Sequence, residues 1–70
     1  MRFSRHAKNG ARGIGATIVD AEKVIANPHE IDVEADGKQH YIGFIRGERV
    51  RVVVAFDDPE LIVTIHRRRR

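Results

Sequence analysis

Arg51 and His66 are the residues of this chain whose types and positions best suit phosphate chemistry. An imidazole exchanges protons near neutral pH, and a guanidinium binds phosphate oxygens. Such a pair is a minimal set for RNA cleavage: one group takes the proton from the 2′-hydroxyl, another protonates the leaving 5′-oxygen, and the arginine stabilises the charge on phosphorus. This chemistry requires no metal and no cofactor. The alternative is an ordinary solvated pair on an exposed sheet.

Several further side chains complete the predicted site. Tyr41 can stack on a base or donate a proton, and His6 is a candidate for a second acid–base group. The residues expected to contact the substrate are Arg49, Thr64, Arg67 and Arg68. None of the four histidines stands at ligand spacing to another, so the sequence indicates no zinc site. No glycine-rich phosphate loop follows a strand, which argues against a nucleotide-binding unit.

The composition favours a small domain with an anionic partner. Seventy residues predict one domain, which we assign to residues 1–66, followed by a basic tail at 67–70. The absence of cysteine excludes disulfides and thiolate metal sites. The net charge of +3 and the four terminal arginines favour RNA or another nucleic acid as partner, unless the tail only provides solubility. No apolar run is long enough for a signal peptide or a membrane helix, which predicts a cytoplasmic protein without a membrane partner.

Two short helices are predicted in the first half of the chain. Ser4 is positioned to cap the first, which extends to about Arg12 and is weakened by Asn9-Gly10. Thr17 is positioned to cap the second, with Asp20 three residues on as in a capping box. Asn27-Pro28 ends that helix, since the residue before a proline avoids the helical region.

After residue 28 the hydrophobic period changes to two, which predicts four antiparallel strands in a meander. The expected strands are 29–34, 38–45, 49–56 and 61–66. Asp36-Gly37 indicates a two-residue turn between the first pair. A three-residue loop, Arg46-Gly47-Glu48, is favoured next because it sets Phe44 opposite Val50 on an apolar face. A four-residue turn at 57–60 then pairs Val54 with Val63. The predicted fold class is therefore α+β, with two helices packed on a four-stranded antiparallel meander.

This register divides the predicted sheet into two faces. The side chains expected beneath the helices are Ile31, Val33, His40, Ile42, Phe44, Val50, Val52, Val54, Val63 and Ile65. The side chains expected on the open face are Tyr41, Gly43, Arg49, Arg51, Thr64 and His66. Within the second set, Arg51 and His66 are predicted to be direct cross-strand neighbours.

Six short motifs along the chain resemble a known family. They are Phe3-Ser4-x-His6-Ala7, Arg12-Gly13-Ile14, Asn27-Pro28, Tyr41-x-Gly43, Arg51-Val52-Val53-Val54 and Val63-Thr64-Ile65. In this order they resemble a small family of uncharacterised bacterial and phage domains, which is grouped with the RelE/ParE-like toxins and the wider RelE- and colicin-type ribonuclease folds. The resemblance implies a toxin fold of two helices on an antiparallel sheet and metal-independent cleavage of RNA.

The resemblance also implies where a site would lie. In RelE-like ribonucleases the active groups are basic and aromatic residues on the exposed sheet face, and here that face would offer Tyr41, Arg49, Arg51, Thr64 and His66. The N-terminal histidine of the family matches His6. The chain departs from the pattern at Asp32 and Glu34, whose charges oppose RNA binding at the first strand. ParE-like relatives act on gyrase rather than RNA, so the fold does not determine the activity.

Three functions fit the sequence. The first is a small toxin-type ribonuclease, with an antitoxin as a partner. The second is a non-catalytic module, encoded by a phage or a mobile element, that binds a host protein or nucleic acid. The third is a structural or homodimerisation domain, because an exposed edge strand and a small core favour pairing with a second copy. Binding that survives the loss of His66 would distinguish the second function from the first.

Overall fold

In the computed structural model, which describes residues 1–67, two helices pack on one face of a five-stranded sheet. The elements are β1 (Arg2–Phe3), α1 (Arg5–Ile14), α2 (Ile18–Ala26), β2 (Glu30–Val33), β3 (Gln39–Ile45), β4 (Glu48–Ala55) and β5 (Asp58–Arg67). The strand order is β1-β5-β4-β3-β2. The face under the helices is called the helix side, and the other is called the open face. Within residues 1–67, neither helix is long and apolar enough to cross a membrane.

The prediction of a four-stranded antiparallel meander is wrong, although the α+β class holds. The residues before α1 form an additional strand, in which Arg2 and Phe3 lie parallel to Leu61 and Ile62. The Ser4 N–H continues this pairing by donating to the Ile62 carbonyl oxygen at 2.8 Å. The sheet is therefore mixed. A two-residue strand carries no alternation, so the hydrophobic pattern did not reveal it.

Both helices begin where the sequence predicts. The Ser4 hydroxyl accepts a hydrogen bond from the Ala7 N–H at 3.1 Å, which caps α1. Thr17 and Asp20 form the complete capping box of α2, since each side chain accepts from the other residue's backbone N–H, at 3.2 and 2.9 Å. Asn27 ends α2 as expected. These short-range signals are reliable because the partners lie within four residues of each other.

α1 is short but continues regularly through Asn9-Gly10 over ten residues, so the predicted irregularity is absent. A Cβ atom at Gly10 would collide with the Ile65 carbonyl oxygen of β5. On the same side of the helix, Ala7 and Ala11 are buried against the sheet. Small residues therefore let α1 lie directly on the β5 backbone.

The core lies between the helices and the sheet. Its buried members are Ala7, Ala11, Ala21, Val24, Ile45, Val50, Val52, Val54, Ile62 and Ile65. The helices contribute mainly small side chains, whereas the sheet contributes β-branched ones, which suit a half-buried pleated surface. Most of the side-chain volume in the core therefore comes from the strands, and the small helix residues let the helices lie close to the sheet.

The first two hairpin turns both differ in length from the prediction. Between β2 and β3 the Gly37 N–H bonds to the Glu34 carbonyl, and the Glu34 N–H bonds to the Lys38 carbonyl, so three residues turn the chain instead of two. Between β3 and β4 only Arg46 and Gly47 turn the chain, both with positive φ, as in a type I′ turn. The predicted three-residue loop is therefore wrong.

The two turn lengths err in opposite directions. The predicted sheet faces of β2 and β4 are therefore correct, whereas β3 presents its side chains to the faces opposite to those predicted. Asp32 pairs with His40, and Tyr41 pairs with Val52. Tyr41 packs against the core on the helix side, and a Cβ at Gly43 would contact Val24 of α2. The predicted open-face positions of Tyr41 and Gly43 are wrong. The side chains that alternate with them, His40, Ile42 and Phe44, occupy the open face instead.

The last hairpin combines one confirmed pairing with one incorrect pairing. Arg51 pairs with His66, as predicted. A bulge then shifts the register, so that Val54 pairs with Ile62 rather than Val63. Ile62, not Val63, is fully buried in the core. The pattern did not predict this change because a bulge moves one residue out of the alternation.

Candidate functional site

Arg51 lies at the centre of the open face. It projects from β4, with Ile42 of β3 on one side and His66 of β5 on the other. The side chain is 18% exposed, so most of it is packed among its neighbours. The strands therefore hold a guanidinium and an imidazole side by side, as the sequence predicts.

His40 contacts Arg51 directly. The Nη1 atom of Arg51 lies 2.7 Å from Nδ1 of His40. A guanidinium can only donate, so Nδ1 of His40 accepts this hydrogen bond and the imidazole proton lies on Nε2. Arg51 Nη2 also lies 4.0 Å from a carboxylate oxygen of Asp32. A histidine of β3 and an acid of β2 thus orient the arginine.

His66 is exposed and has the opposite proton arrangement. Its Nδ1 lies 3.2 Å from the carbonyl oxygen of Arg67. Because a carbonyl oxygen only accepts, Nδ1 carries the proton and Nε2 presents its lone pair. In their neutral forms, the two imidazoles beside Arg51 therefore offer one donor, on His40, and one acceptor, on His66.

Two arginine–carboxylate pairs cross the open face from β4 to β2. Arg49 lies 2.9 Å from Glu30, and Arg51 reaches toward Asp32. Both pairs span β3, where Ile42 is completely buried although it faces away from the helices. The acidic strand β2 therefore neutralises the two cations of β4. Long side chains that cover aliphatic residues in this way can act as packing groups as well as charges.

Thr64 lies on the same face as His66, beside Val53. Its side chain is half-buried, and Val53 is 4% exposed. Among the residues predicted for the site, the open face therefore brings together Arg49, Arg51, Thr64 and His66.

Three predicted site residues lie elsewhere. Tyr41 is on the helix side, where its hydroxyl donates to the Gln39 side chain. His6 is exposed on α1, which packs against the opposite side of the sheet. Arg67 pairs in the sheet with Val50, a helix-side position, and its guanidinium contacts Glu48. Arg68 lies outside the described residues.

His40 contacts Arg51 but was not predicted for the site, because the sequence interpretation assigned it to the wrong face. It was expected beneath the helices, beside Val33, because a two-residue turn at Asp36-Gly37 pairs those positions. The observed partner of His40 is Asp32. The sequence contains a signal for the correct register, because glycine at the second position of Arg46-Gly47 suits a two-residue type I′ turn.

Three surface cavities lie away from Arg51 and His66. One is lined by the end of α2 and Phe44, another by His29 and Phe44, and a third by Tyr41 and Phe56 among others. The open-face site is therefore an exposed surface and not one of these concave sites. Within residues 1–67, no three His, Asp or Glu side chains are arranged to hold a metal ion.

Comparisons with known proteins leave the motif resemblance untested. The chain matches no protein-family model, and no curated protein and no solved structure is significantly similar to it. The relation to RelE/ParE-like toxins therefore stays a prediction.

Proposed function

We propose that this protein binds RNA on its open face and cleaves it by metal-independent general acid–base catalysis. The observation that carries the proposal is the neighbouring pair of Arg51 and His66 on an exposed sheet surface. The contact between Arg51 and His40 adds a second imidazole on the other side of the arginine. Together these groups supply a proton acceptor, a fixed positive charge and a hydrogen-bond donor.

His66 acts as the general base in this mechanism. The lone pair on its Nε2 takes the proton from a ribose 2′-hydroxyl, and the 2′-oxygen attacks phosphorus. The bond from phosphorus to the 5′-oxygen breaks, which leaves a 2′,3′-cyclic phosphate and a new 5′-hydroxyl. Water supplies the proton of that hydroxyl, because Tyr41 and His6 lie on the helix side of the molecule.

Arg51 and His40 bind the phosphate rather than transfer protons. The guanidinium stabilises the charge that develops on the phosphoryl oxygens, and it releases Asp32, at 4.0 Å, to do so. Nδ1 of His40 accepts from Arg51, so the ring proton of the neutral imidazole lies on Nε2. His40 therefore donates from Nε2 to a phosphoryl oxygen and orients Arg51. Arg49 and Thr64 lie on the same face and extend the contact surface.

The sequence motifs support the proposal independently of this geometry. They resemble RelE/ParE-like toxins, whose RNA-cleaving members use basic and aromatic residues. That resemblance supports RNA and an antitoxin as partners, and the lack of a long apolar run supports action in the cytoplasm.

Cleavage of a defined RNA in the presence of a chelator tests the proposal. His66→Ala is expected to slow cleavage by about 10² to 10⁴, the usual contribution of a general base. Arg51→Ala is expected to slow it by about 10² or more through lost charge stabilisation. His6→Ala is the matched control, since it removes an exposed histidine from the helix side. Cleavage that is equally fast in the wild type and His66→Ala would reject the mechanism.

A second candidate is a non-catalytic module that binds nucleic acid or a host protein. It is favoured by the engagement of both β4 arginines with carboxylates and by the slight exposure of Arg51. Under this alternative, RNA binds equally well to the wild type and to His66→Ala, and no 2′,3′-cyclic phosphate forms. Growth of cells expressing the protein adds a further readout, because only a toxin-type ribonuclease slows growth in a way that His66→Ala relieves.

A further inference from the structure

The exposed side of α1 carries three cations in a single row. Arg5, Lys8 and Arg12 stand three and four residues apart, a spacing that places side chains on one helix face. All three are exposed, whereas Ala7 and Ala11 on the opposite side are buried against the sheet. We call Arg5, Lys8 and Arg12 the α1 stripe.

Among the lysines and arginines of residues 1–67, only Lys23 and the three residues of the α1 stripe have no carboxylate within ion-pair distance. Among residues 1–67, every arginine outside α1 has a carboxylate within 4.0 Å: Arg2 with Asp58, Arg46 with Asp20, Arg49 with Glu30, Arg51 with Asp32 and Arg67 with Glu48. No ion pair in that part of the chain includes a residue of the stripe. The first carboxylate in the sequence is Asp20, so α1 contains none.

Helix stability does not account for this arrangement. Like charges three and four residues apart repel each other and destabilise a helix by a few tenths of a kcal/mol per pair. Arg5 is in the first turn of α1, where the helix dipole disfavours a cation, and only Arg12, in the last turn, is favoured by it. The stripe thus reduces the stability of α1, which points to a ligand outside the chain.

We propose that the α1 stripe binds the phosphate backbone of RNA without reading its bases. Arg5 and Arg12 are seven residues apart, which corresponds to about 10 Å along a helix at 1.5 Å per residue. This length matches roughly three base steps of a nucleic-acid strand. Unpaired Lys and Arg side chains are the groups that release counter-ions from phosphates on binding.

The remaining exposed residues of α1 favour nucleic acid over other anionic partners. They are His6, Asn9 and Gly13, none of which is a large apolar residue. An amphipathic helix that binds a membrane inserts an apolar face, but the apolar side of α1 is already buried against β5. A protein partner usually requires an aromatic or aliphatic centre, which this surface lacks.

This binding surface does not depend on cleavage at the open face. The stripe lies on the helix side, so RNA held there is a contact additional to any at Arg51 and His66. Loss of the stripe should weaken RNA binding without changing the cleavage rate at saturating RNA. Absence of cleavage would reject the proposed function but would not affect this inference. Failure of the proposed cleavage can therefore be distinguished from failure of RNA binding by the stripe.

Salt-dependent binding to fluorescent polyuridine, measured with the full chain, tests the inference. The variant Arg5→Gln/Lys8→Gln/Arg12→Gln removes the stripe. The control Arg2→Gln/Lys23→Gln/Lys38→Gln causes the same change in net charge at positions outside α1. Circular dichroism melting of both variants verifies folding, and loss of the stripe should leave the melting temperature of the protein unchanged or raise it.

The stripe variant should bind polyuridine about ten- to a hundredfold more weakly at low salt. The slope of log affinity against log salt should fall by about 2, at roughly 0.7 for each lost phosphate contact. The control should retain most of the slope. Equal losses in the two variants would overturn the inference, because they would reflect net charge alone. Binding to phosphatidylglycerol vesicles, with none to polyuridine, would also overturn it.

Discussion

On its helix side the sheet packs directly against two short helices, whereas on its open face long polar side chains surround two buried aliphatic residues. The helix side is held by close approach, with Gly10 against the Ile65 carbonyl. The open face is held by arginines that reach across β3 to the acids of β2. Ile42 and Val53 are nevertheless as buried there as residues of the main core.

The same comparison separates two kinds of cation. Arg49 and Arg51 on the open face are paired with carboxylates, and so they serve structure at the same time as any function. The α1 stripe has no such partners among the described residues. A basic sequence therefore does not by itself locate a binding surface. Cations without a carboxylate partner can bind phosphate without first displacing an acid of the chain.

The largest effect is expected from Gly10→Val, which tests close approach on the helix side. Its Cβ would meet the β5 backbone, which cannot rotate away as a side chain can. We expect the free energy of unfolding to fall by about 3 kcal/mol or more, a large share of the stability of a domain this small. Urea denaturation followed by circular dichroism measures the change.

Gly13→Ala is the matched control in the same helix. Nothing lies within 4 Å of a Cβ added at Gly13, so alanine should raise the free energy of unfolding by about 0.5 to 1 kcal/mol through helix propensity alone. Similar effects at the two glycines would show that α1 does not lie as close to β5 as described.

Close approach and capping differ in how far they can be predicted from sequence. The caps of both helices were predicted correctly, because Ser4 and Thr17 act on partners three residues away. The role of Gly10 depends on Ile65 of β5, more than fifty residues later in the chain, so local helix propensity could not reveal it. Gly10 shows that a residue chosen for tertiary contact can look locally unfavourable.

The candidate site was predictable in part for a related reason. Arg51 and His66 belong to strands whose alternation is one-sided, so their common face followed from the pattern. Strand β3 is ambiguous, because Ile42 and Phe44 on one side are matched by Tyr41 and Ile45 on the other. Hydrophobic pattern cannot orient such a strand, and turn geometry decides it. The contact between His40 and Arg51 was missed for this reason.

A smaller effect is expected on the open face, where Ile42→Ala tests whether the polar side chains enclose a second core. Ile42 is fully buried, so its truncation should cost about 2 to 4 kcal/mol of unfolding free energy. Phe44→Ala removes a larger side chain from the same face of β3, but Phe44 is 54% exposed and should cost about 1 kcal/mol. If Ile42→Ala cost no more than Phe44→Ala, the open face would be an ordinary solvated surface.

The smallest effect is expected from Asp32→Asn, which tests whether the acids of β2 compete with phosphate for Arg51. The 4.0 Å separation is at the limit of an ion pair, so its loss should change protein stability little. Binding of polyuridine at the open face should strengthen about two- to fivefold, the equivalent of a weak surface pair.

Asp57→Asn, at the exposed turn before β5, makes the same chemical change away from Arg51 and controls for net charge. If both variants strengthened binding equally, the long-range charge of the protein would explain the gain. A gain confined to Asp32→Asn would mean that Asp32 competes with phosphate for Arg51. The cations of the α1 stripe have no such competitor among the described residues.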